Sequence, residues 1–177
     1  MKRKHPMAEL EIEIRKELPE DRERVWAINR AAFGQAAEAN LVDQLRGNAA
    51  PEVSLVAVCD GKLVGHAFFS RVHVGAQRRA AMALGPVAVD PEVQKRAVGG
   101  RLCRRGLDEC RALGEKLVFV LGHADYYPRF GFEPALSHGC YYKSDAYAPA
   151  FFVAILEEGA ADDFEGEVFY HPAFDEA

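Results

Sequence analysis

The chain lacks most of the patterns that would assign it a chemistry at sight. Its four cysteines, Cys59, Cys103, Cys110 and Cys140, include no Cys-x-x-Cys pair, so neither a zinc site nor a dithiol redox centre has its ligand spacing. No stretch approaches the roughly 20 apolar residues of a membrane helix, and the tail run Ala150–Leu156 falls far short of it. Neither Gly-x-x-x-x-Gly-Lys-Ser/Thr nor Gly-x-Gly-x-x-Gly occurs, which counts against the glycine-rich nucleotide loops. Positive charge is also short: 22 Lys and Arg stand against 27 Asp and Glu, a formal net charge of -5, whereas a nucleic-acid partner calls for a basic stripe. Repeats, low-complexity tracts and linkers are missing.

What remains describes one ordinary core. A chain of 177 residues with 49% hydrophobic content is expected to bury about 70% of its unfolded surface in a single domain, here residues 10–174. Met1 to His5 is basic without a following apolar run, so residues 1–9 read as a disordered end rather than a signal peptide. A cytoplasmic protein with reduced cysteines fits this pattern; Cys103 and Cys110, seven apart on one helix face, read as core.

Periodicity supplies an α/β order. Ile12 and Ile14 alternate with charge in a first strand. Pro19-Glu20-Asp21 opens a helix through Val25, Trp26, Ile28 and Phe33, and Ala36 to Arg46 forms a second that stops at Gly47. Val53–Cys59 and Lys62–Val74 flank Asp60-Gly61, the pair that a type I′ hairpin turn requires. The second of these strands sets Val64, His66, Phe68, Val72 and Val74 on one face, so His66 reads as a satisfied core or groove histidine ahead of a catalytic base. Lys116–Gly122, apolar without alternation and reached through a helix, is expected to run parallel to the strand before it. Phe151–Leu156 and the neighbourhood of Val168–Tyr170 complete the strands.

The informative stretch is Leu84–Gly100, LGPVAVDPEVQKRAVGG. Gly85-Pro86 interrupts a strand, and a proline cannot donate to a ladder, so a bulge there frees backbone groups of Val87, Ala88 and Val89. The loop Gln94-Lys95-Arg96-Ala97-Val98 then enters a helix at Gly99-Gly100, whose unpaired N–H groups and dipole suit a phosphate. That helix runs from Gly99 to Leu113 with Leu102, Cys103, Gly106, Leu107, Cys110 and Leu113 inward. Arg101, Arg104 and Arg105 near its start oppose the dipole unless an anion binds; Arg101 is the one favoured for that role, while Arg104 and Arg105 read equally as a solvated face.

Gln94-Lys95-Arg96-Ala97-Val98-Gly99 resembles the Gln/Arg-x-x-Gly-x-Gly/Ala pyrophosphate loop of the GNAT superfamily of N-acetyltransferases, with Ala97 where the first glycine would stand. Leu117-Val118-Phe119-Val120-Leu121-Gly122-His123, then Tyr126-Tyr127 and Gly131-Phe132, resembles that family's next strand and Tyr-x-x-x-Gly-Phe closure. With the tail through Tyr170-His171-Pro172-Ala173-Phe174, the likeness extends to a small bacterial subgroup of uncharacterised acetyltransferases and covers about residues 10 to 174. It implies a mixed α/β fold: a central, mostly antiparallel sheet with one splayed parallel strand pair and helices on both faces. It implies acetyl-CoA as cosubstrate, no metal, an amine acceptor that is a small molecule or peptide, no nucleic acid or membrane partner, and a monomer or homodimer. The implied cofactor contacts are Val87, Ala88, Val89, Gln94, Lys95, Arg96, Ala97, Val98, Gly99, Gly100 and Tyr127. Tyr127 is the implied acid for the departing thiolate, and Tyr126 reads as packing or acceptor wall.

His123, at the end of an apolar strand, can relay a proton near neutral pH; Asp90, Glu92 and Asp125 acting through water, or a water chain alone, are alternatives. An alanine at left-handed dihedrals costs about 1–2 kcal/mol, so Ala97 either keeps ordinary φ or weakens the loop. A non-catalytic acyl-CoA-binding module on the same fold therefore stays in view, as does a phosphate-metabolite enzyme. A Cys140/His138 nucleophile pair is a weaker idea, because a spacing of two fixes no geometry.

Overall fold

The structure is a computed structural model and describes residues 10–177; the basic end expected to be disordered lies outside the described residues. In chain order the elements are β1 (Ile12–Lys16), α1 (Arg22–Phe33), α2 (Ala37–Leu45), β2 (Val53–Cys59), β3 (Lys62–Val74), β4 (Arg79–Val89), α3 (Val98–Ala112), β5 (Leu117–Leu121), β6 (Phe132–Pro134), β7 (Cys140–Tyr141), β8 (Phe151–Ile155) and β9 (Gly166–Phe169). The sheet runs β1-β2-β3-β4-β5-β8-β6, with β9 added against β3 and β7. Within that main path every neighbouring pair is antiparallel except β4 and β5. The expected mixed sheet with one parallel pair at its centre is therefore present, and a two-residue parallel pairing of β7 with β9 lies outside the expectation. Among the described residues no helix is long and apolar enough to cross a membrane.

Local chemistry explains the boundaries. Asp60 and Gly61 both take positive φ, 50° and 75°, as the I′ turn between β2 and β3 demands. The start of α1 is tied to the end of β1: Asp21 accepts from the Leu18 N–H at 2.7 Å and from both terminal nitrogens of Arg15 at 2.6 and 3.0 Å. Arg15 holds the Asp21 carboxyl below its ordinary range. Gly106 lets α3 close on the sheet, since a Cβ there would lie 2.0 Å from the Phe69 ring. Leu113, expected on the inward stripe, is instead 54% exposed, because α3 ends at Ala112 and Leu113 is already the cap residue before left-handed Gly114.

One face of the sheet packs on α3, with Ala67, Phe69, Met82, Leu84, Val118 and Val120 buried there. The other face is divided. Phe68 and Ala88 lie under α1 and α2, whereas Val72, Val74, Phe119 and Phe151 lie under the irregular chain after β6. Val64 departs from its expected face: β3 carries an extra residue there opposite Ala57-Val58, and that bulge turns Val64 towards α3 while His66 and Phe68 face α1 and α2. Arg71 locks β3 to the start of β5 through a bidentate pair with Glu115, 2.9 and 2.6 Å, and a bond to the Ala81 carbonyl.

His66 is fully buried and satisfied, as its pattern implied. Asn29 donates to Nδ1 at 3.1 Å and to the Val25 carbonyl at 3.0 Å. Nε2 therefore carries the proton and donates to Ser54 Oγ at 2.9 Å; Ser54 donates on to Glu17, which also accepts from Arg46. A second proton at Nδ1 would face the Asn29 N–H, and burial, with a smaller contribution from Arg46, pushes the pKa down to about 3. The folded value lies below the unfolded one, so this group imposes no penalty above about pH 6.5, and stability is lost as pH falls from there towards 3, by up to about 1.4 kcal/mol per pH unit. His66→Gln should flatten the dependence of unfolding free energy on pH between 6 and 4.5 by close to one proton. Urea titrations across that range read it directly, and an unchanged slope would mean that His66 stays charged in the folded protein.

Candidate functional site

The site begins where β4 loses a neighbour. Ala67 pairs with Val87 and Phe69 with Leu84, so two steps on β3 match three on β4, and the extra residue falls at Gly85-Pro86. On the other side, pairing with β5 stops at Leu84–Val120. Past that point β5 is drawn to β8, and the Gly122 N–H bonds the Ala150 carbonyl at 2.8 Å. The Asp90 N–H bonds Val64 on β3 at 2.8 Å and Ala88 lies opposite His66, so by alternation Val87 and Val89 turn their backbone groups into the gap. This corrects one expectation: Ala88 is turned away, with its backbone on the β3 side and its side chain buried among α1 and α2.

The loop leading to α3 is pinned back on the same edge. Gln94 Nε2 donates to the Val89 carbonyl at 3.1 Å, and Asp90 accepts from the Glu92 N–H and from Arg24. Lys95 and Ala97 are both left-handed, each at φ 63°. Of the two alternatives for Ala97 the strained one holds. The first bond into the helix is Arg101 N–H to the Ala97 carbonyl, so the amides of Val98, Gly99 and Gly100 have no helical partner.

Edge, loop and helix start line one cavity of about 1230 Å³. Val87, Val89, Gln94, Lys95, Ala97, Val98, Gly99, Gly100, His123 and Tyr127 all line it, whereas Arg96 is solvent-exposed outside it. The arginines sort differently from expectation. Arg101 donates to the Ile12 carbonyl at 2.6 Å and Arg105 to Ile14 at 3.4 Å, covering the open edge of β1, which leaves Arg104 to line the cavity. Lys95, Arg104 and Arg129 make this end basic.

The two tyrosines separate. Tyr126 leans over the helix start, where a Cβ on Gly99 would lie 2.5 Å from its hydroxyl, and it stacks edge-on against Phe130. It is therefore on the loop side and not an acceptor wall. Tyr127 sits deeper, its ring against Gly122 and edge-on to Phe132. Burial pushes the Tyr126 hydroxyl up to about 12 and raises that of Tyr127 as well, so both remain protonated donors. Among the other candidates, Asp90 is paired with Arg24, and Glu92 and Asp125 lie outside the cavity. Cys140 is buried with its thiol pushed up to about 11, while the His138 ring faces Glu133 at 2.6 Å, so they form no nucleophile pair. All four cysteines are buried and free. Reading along the chain also missed Glu38, Tyr142, Tyr170 and Phe174, which line the far end of the cavity; the only signal was the density of aromatics in the tail.

A mixed sheet splayed after a central parallel pair, with an anion cradle where the strands part, defines an α/β transferase of the GNAT type. The chain belongs to that family: residues 13–135 match the family described as acetyltransferase (GNAT) domain. It is 34% identical over 162 residues to the uncharacterized N-acetyltransferase YhbS of Escherichia coli K12, covering 91% of this chain and 97% of that one. It is 44% identical over 118 residues to the uncharacterized N-acetyltransferase YjhQ of the same organism, covering 64% of this chain and 65% of that protein's length. The crystal structure of E. coli YhbS in complex with CoA superposes with a TM-score of 0.88 at 33% identity, over 97% of this chain and 96% of that one. A Brucella melitensis GNAT acetyltransferase in complex with acetyl-CoA superposes at 0.77 and 34% identity, over 93% and 98%.

The left-handed alanine is directly testable. Ala97→Gly relieves about 1–2 kcal/mol of strain and gives back about 0.5–1 kcal/mol in unfolded-chain freedom, so denaturant unfolding should find it equal to or slightly more stable than the parent. Ala97→Val, β-branched at positive φ, should be clearly less stable. Equal stability of all three would mean that position 97 is not left-handed in solution.

Proposed function

We propose that the protein transfers an acetyl group from acetyl-CoA to a primary amine, residues 10–174 acting as one catalytic unit. The observation that carries this is the freed β4 edge at Val87 and Val89 running directly into the unpaired amides of α3, all within one cavity that also holds Tyr127. Two backbone strips of that kind, joined by the Gln94 clamp, suit an extended pantetheine arm and a diphosphate. Val98, Gly99 and Gly100 would hold the diphosphate through their N–H groups, with Lys95 and Arg104 adding charge. The bound acetyl-CoA supplies a thioester, whose carbonyl carbon an amine nitrogen attacks.

Each chain residue then has a definite task. The N–H groups of Val87 and Val89 face the gap and would donate to the thioester oxygen as negative charge grows on it. The C–N bond forms, the C–S bond breaks, and Tyr127 gives its proton to the leaving sulfur. His123, exposed at the cavity wall, would accept the proton that the amine sheds, directly or through water. Burial keeps Tyr127 protonated, so the donor is loaded at neutral pH.

CoA binding is tested first. At 100 times its Kd the ligand should add about 2.7 kcal/mol of stability, seen as a rise in melting temperature. Gly99→Glu places a carboxylate among the helix-start amides and should abolish that rise while the protein stays folded; an undiminished rise would put the diphosphate elsewhere. Tyr127→Phe keeps the ring on Gly122 and Phe132 and should lower kcat by about 10²–10⁴-fold with KM little changed. Tyr126→Phe should lose far less. A Tyr127→Phe enzyme within about threefold of the parent would show that another group protonates the sulfur.

A further inference from the structure

The two halves of the cavity differ in chemistry. Its basic lining residues, Lys95, Arg104 and Arg129, belong to the loop, α3 and the short helical turn after β5. Past Gly85-Pro86 the lining changes to rings. Tyr142, Tyr170 and Phe174 form a connected wall, with Tyr170 edge-on to both neighbours at 5.1 and 4.9 Å between centroids. Phe174 stands against the bulge, 3.7 Å from where a Cβ on Gly85 would lie, so this wall begins where the reacting carbonyl would be held. Phe33, at the end of α1, faces the same space and is 41% exposed.

The polar groups there are few. Among the described residues Glu38 is the only carboxylate side chain in the lining and has no cationic partner; Gln35 Nε2 approaches its two oxygens at 3.2 and 3.3 Å. The Tyr170 hydroxyl is buried with no hydrogen-bond partner among the described residues. Among the described residues no lysine or arginine lines this half to receive a carboxylate or phosphate.

Resting on the acetyl-transfer reading above, we propose that the acceptor is a monoamine carried on an aromatic-sized apolar body and bearing no acidic group. The rings of Phe33, Tyr142, Tyr170 and Phe174 bury the apolar body by area and edge-to-face contact. Glu38 attracts the ammonium form as it enters, and a single carboxylate matches a single positive charge. A polyamine or an amino sugar would bring several charged or hydroxyl groups to a wall that can pair with very few of them, and each unpaired group buried there weakens binding. An amino acid or phosphorylated amine would set its anion beside Glu38.

Equilibrium binding to the CoA-loaded protein decides between these classes. By calorimetry, 2-phenylethylamine should bind at least about tenfold more tightly than spermidine, glucosamine or 3-phenylpropionate. Glu38→Gln, a near-isosteric change at the cavity wall, should weaken 2-phenylethylamine by about three- to tenfold and narrow its advantage over 3-phenylpropionate. Spermidine or glucosamine binding as well as 2-phenylethylamine overturns the proposal, and so does no detectable binding of 2-phenylethylamine. Acetyl-CoA consumption is followed in parallel. Tight binding of 2-phenylethylamine without turnover supports this acceptor class and overturns the acetyl-transfer reading. If CoA itself does not bind, the transfer reading has failed separately, and the same amine comparison on the free protein decides the present one.

Discussion

Strand β4 cannot keep two partners along its whole length, and the site follows from that. Up to Leu84 it bonds β3 on one side and β5 on the other. The glycine and proline that come next insert an extra residue against β3, and proline has no N–H to offer. At the same level β5 has a better neighbour in β8, with which it pairs over all five residues from Leu117 to Leu121. The sheet parts, and each backbone group left unpaired in the gap would cost about 1–3 kcal/mol if it stayed dry and unmatched. Gln94 answers one of them, the Val89 carbonyl. The rest face a cavity open to water, where a ligand's own polar backbone can take over. A binding edge of this kind needs no dedicated side chain, which is why its residues can be as plain as valine.

The start of α3 shows a second use of the same economy of side chains. Gly99 and Gly100 permit close approach of a ligand, but in this structure they also permit close approach of protein. The Tyr126 hydroxyl occupies the space beside Gly99 and the Phe130 ring that beside Gly100. The turn after β5 thus packs on the phosphate loop, and Arg104 lies over the Phe130 ring at 4.9 Å. A ligand entering the cradle meets the edge of that aromatic turn. The left-handed strain at Lys95 and Ala97 sits next to this contact, where the chain must turn sharply to present its amides.

Much of this was legible from residue types with strong local rules. Asp60-Gly61 fixed a hairpin, Gly85-Pro86 a bulge, and the unalternating run Lys116–Gly122 a parallel strand, because each depends on the backbone preferences of a few residues. What escaped depends on parity or on distant partners. Whether Val87 and Val89 or Ala88 face the gap is decided by the pairing of Ala88 with His66. Val64 changed face because of one extra residue in β3. The aromatic wall was unreadable for another reason: β7 and β9 contribute two and four residues, too short for alternation, and Phe174 reaches the bulge across about 90 positions of sequence. The role proposed for Tyr127 comes from the resemblance to a family, whereas the position of Tyr126 over the helix start depends on how the turn after β5 packs on α3.

The arginines of α3 join the edge of the sheet to the site. Three positive side chains in the first two turns oppose the helix dipole and would ordinarily weaken the helix by a few tenths of a kcal/mol to about 1 kcal/mol each. Arg101 and Arg105 escape that penalty by reaching the outer carbonyls of Ile12 and Ile14, groups that edge strand β1 would otherwise leave to water or to another chain's strand. Arg105 is held further by Glu109 one turn on, and the Glu109 carboxyl is kept below its ordinary range mainly by that bond. Arg104 alone has neither a carbonyl nor a carboxylate among the described residues and lies on the cavity side. A chain with a net charge of -5 thus keeps a locally basic mouth: the neighbouring positive charges are committed to backbone, and the remaining one, with Lys95 and Arg129, is left to meet an anion.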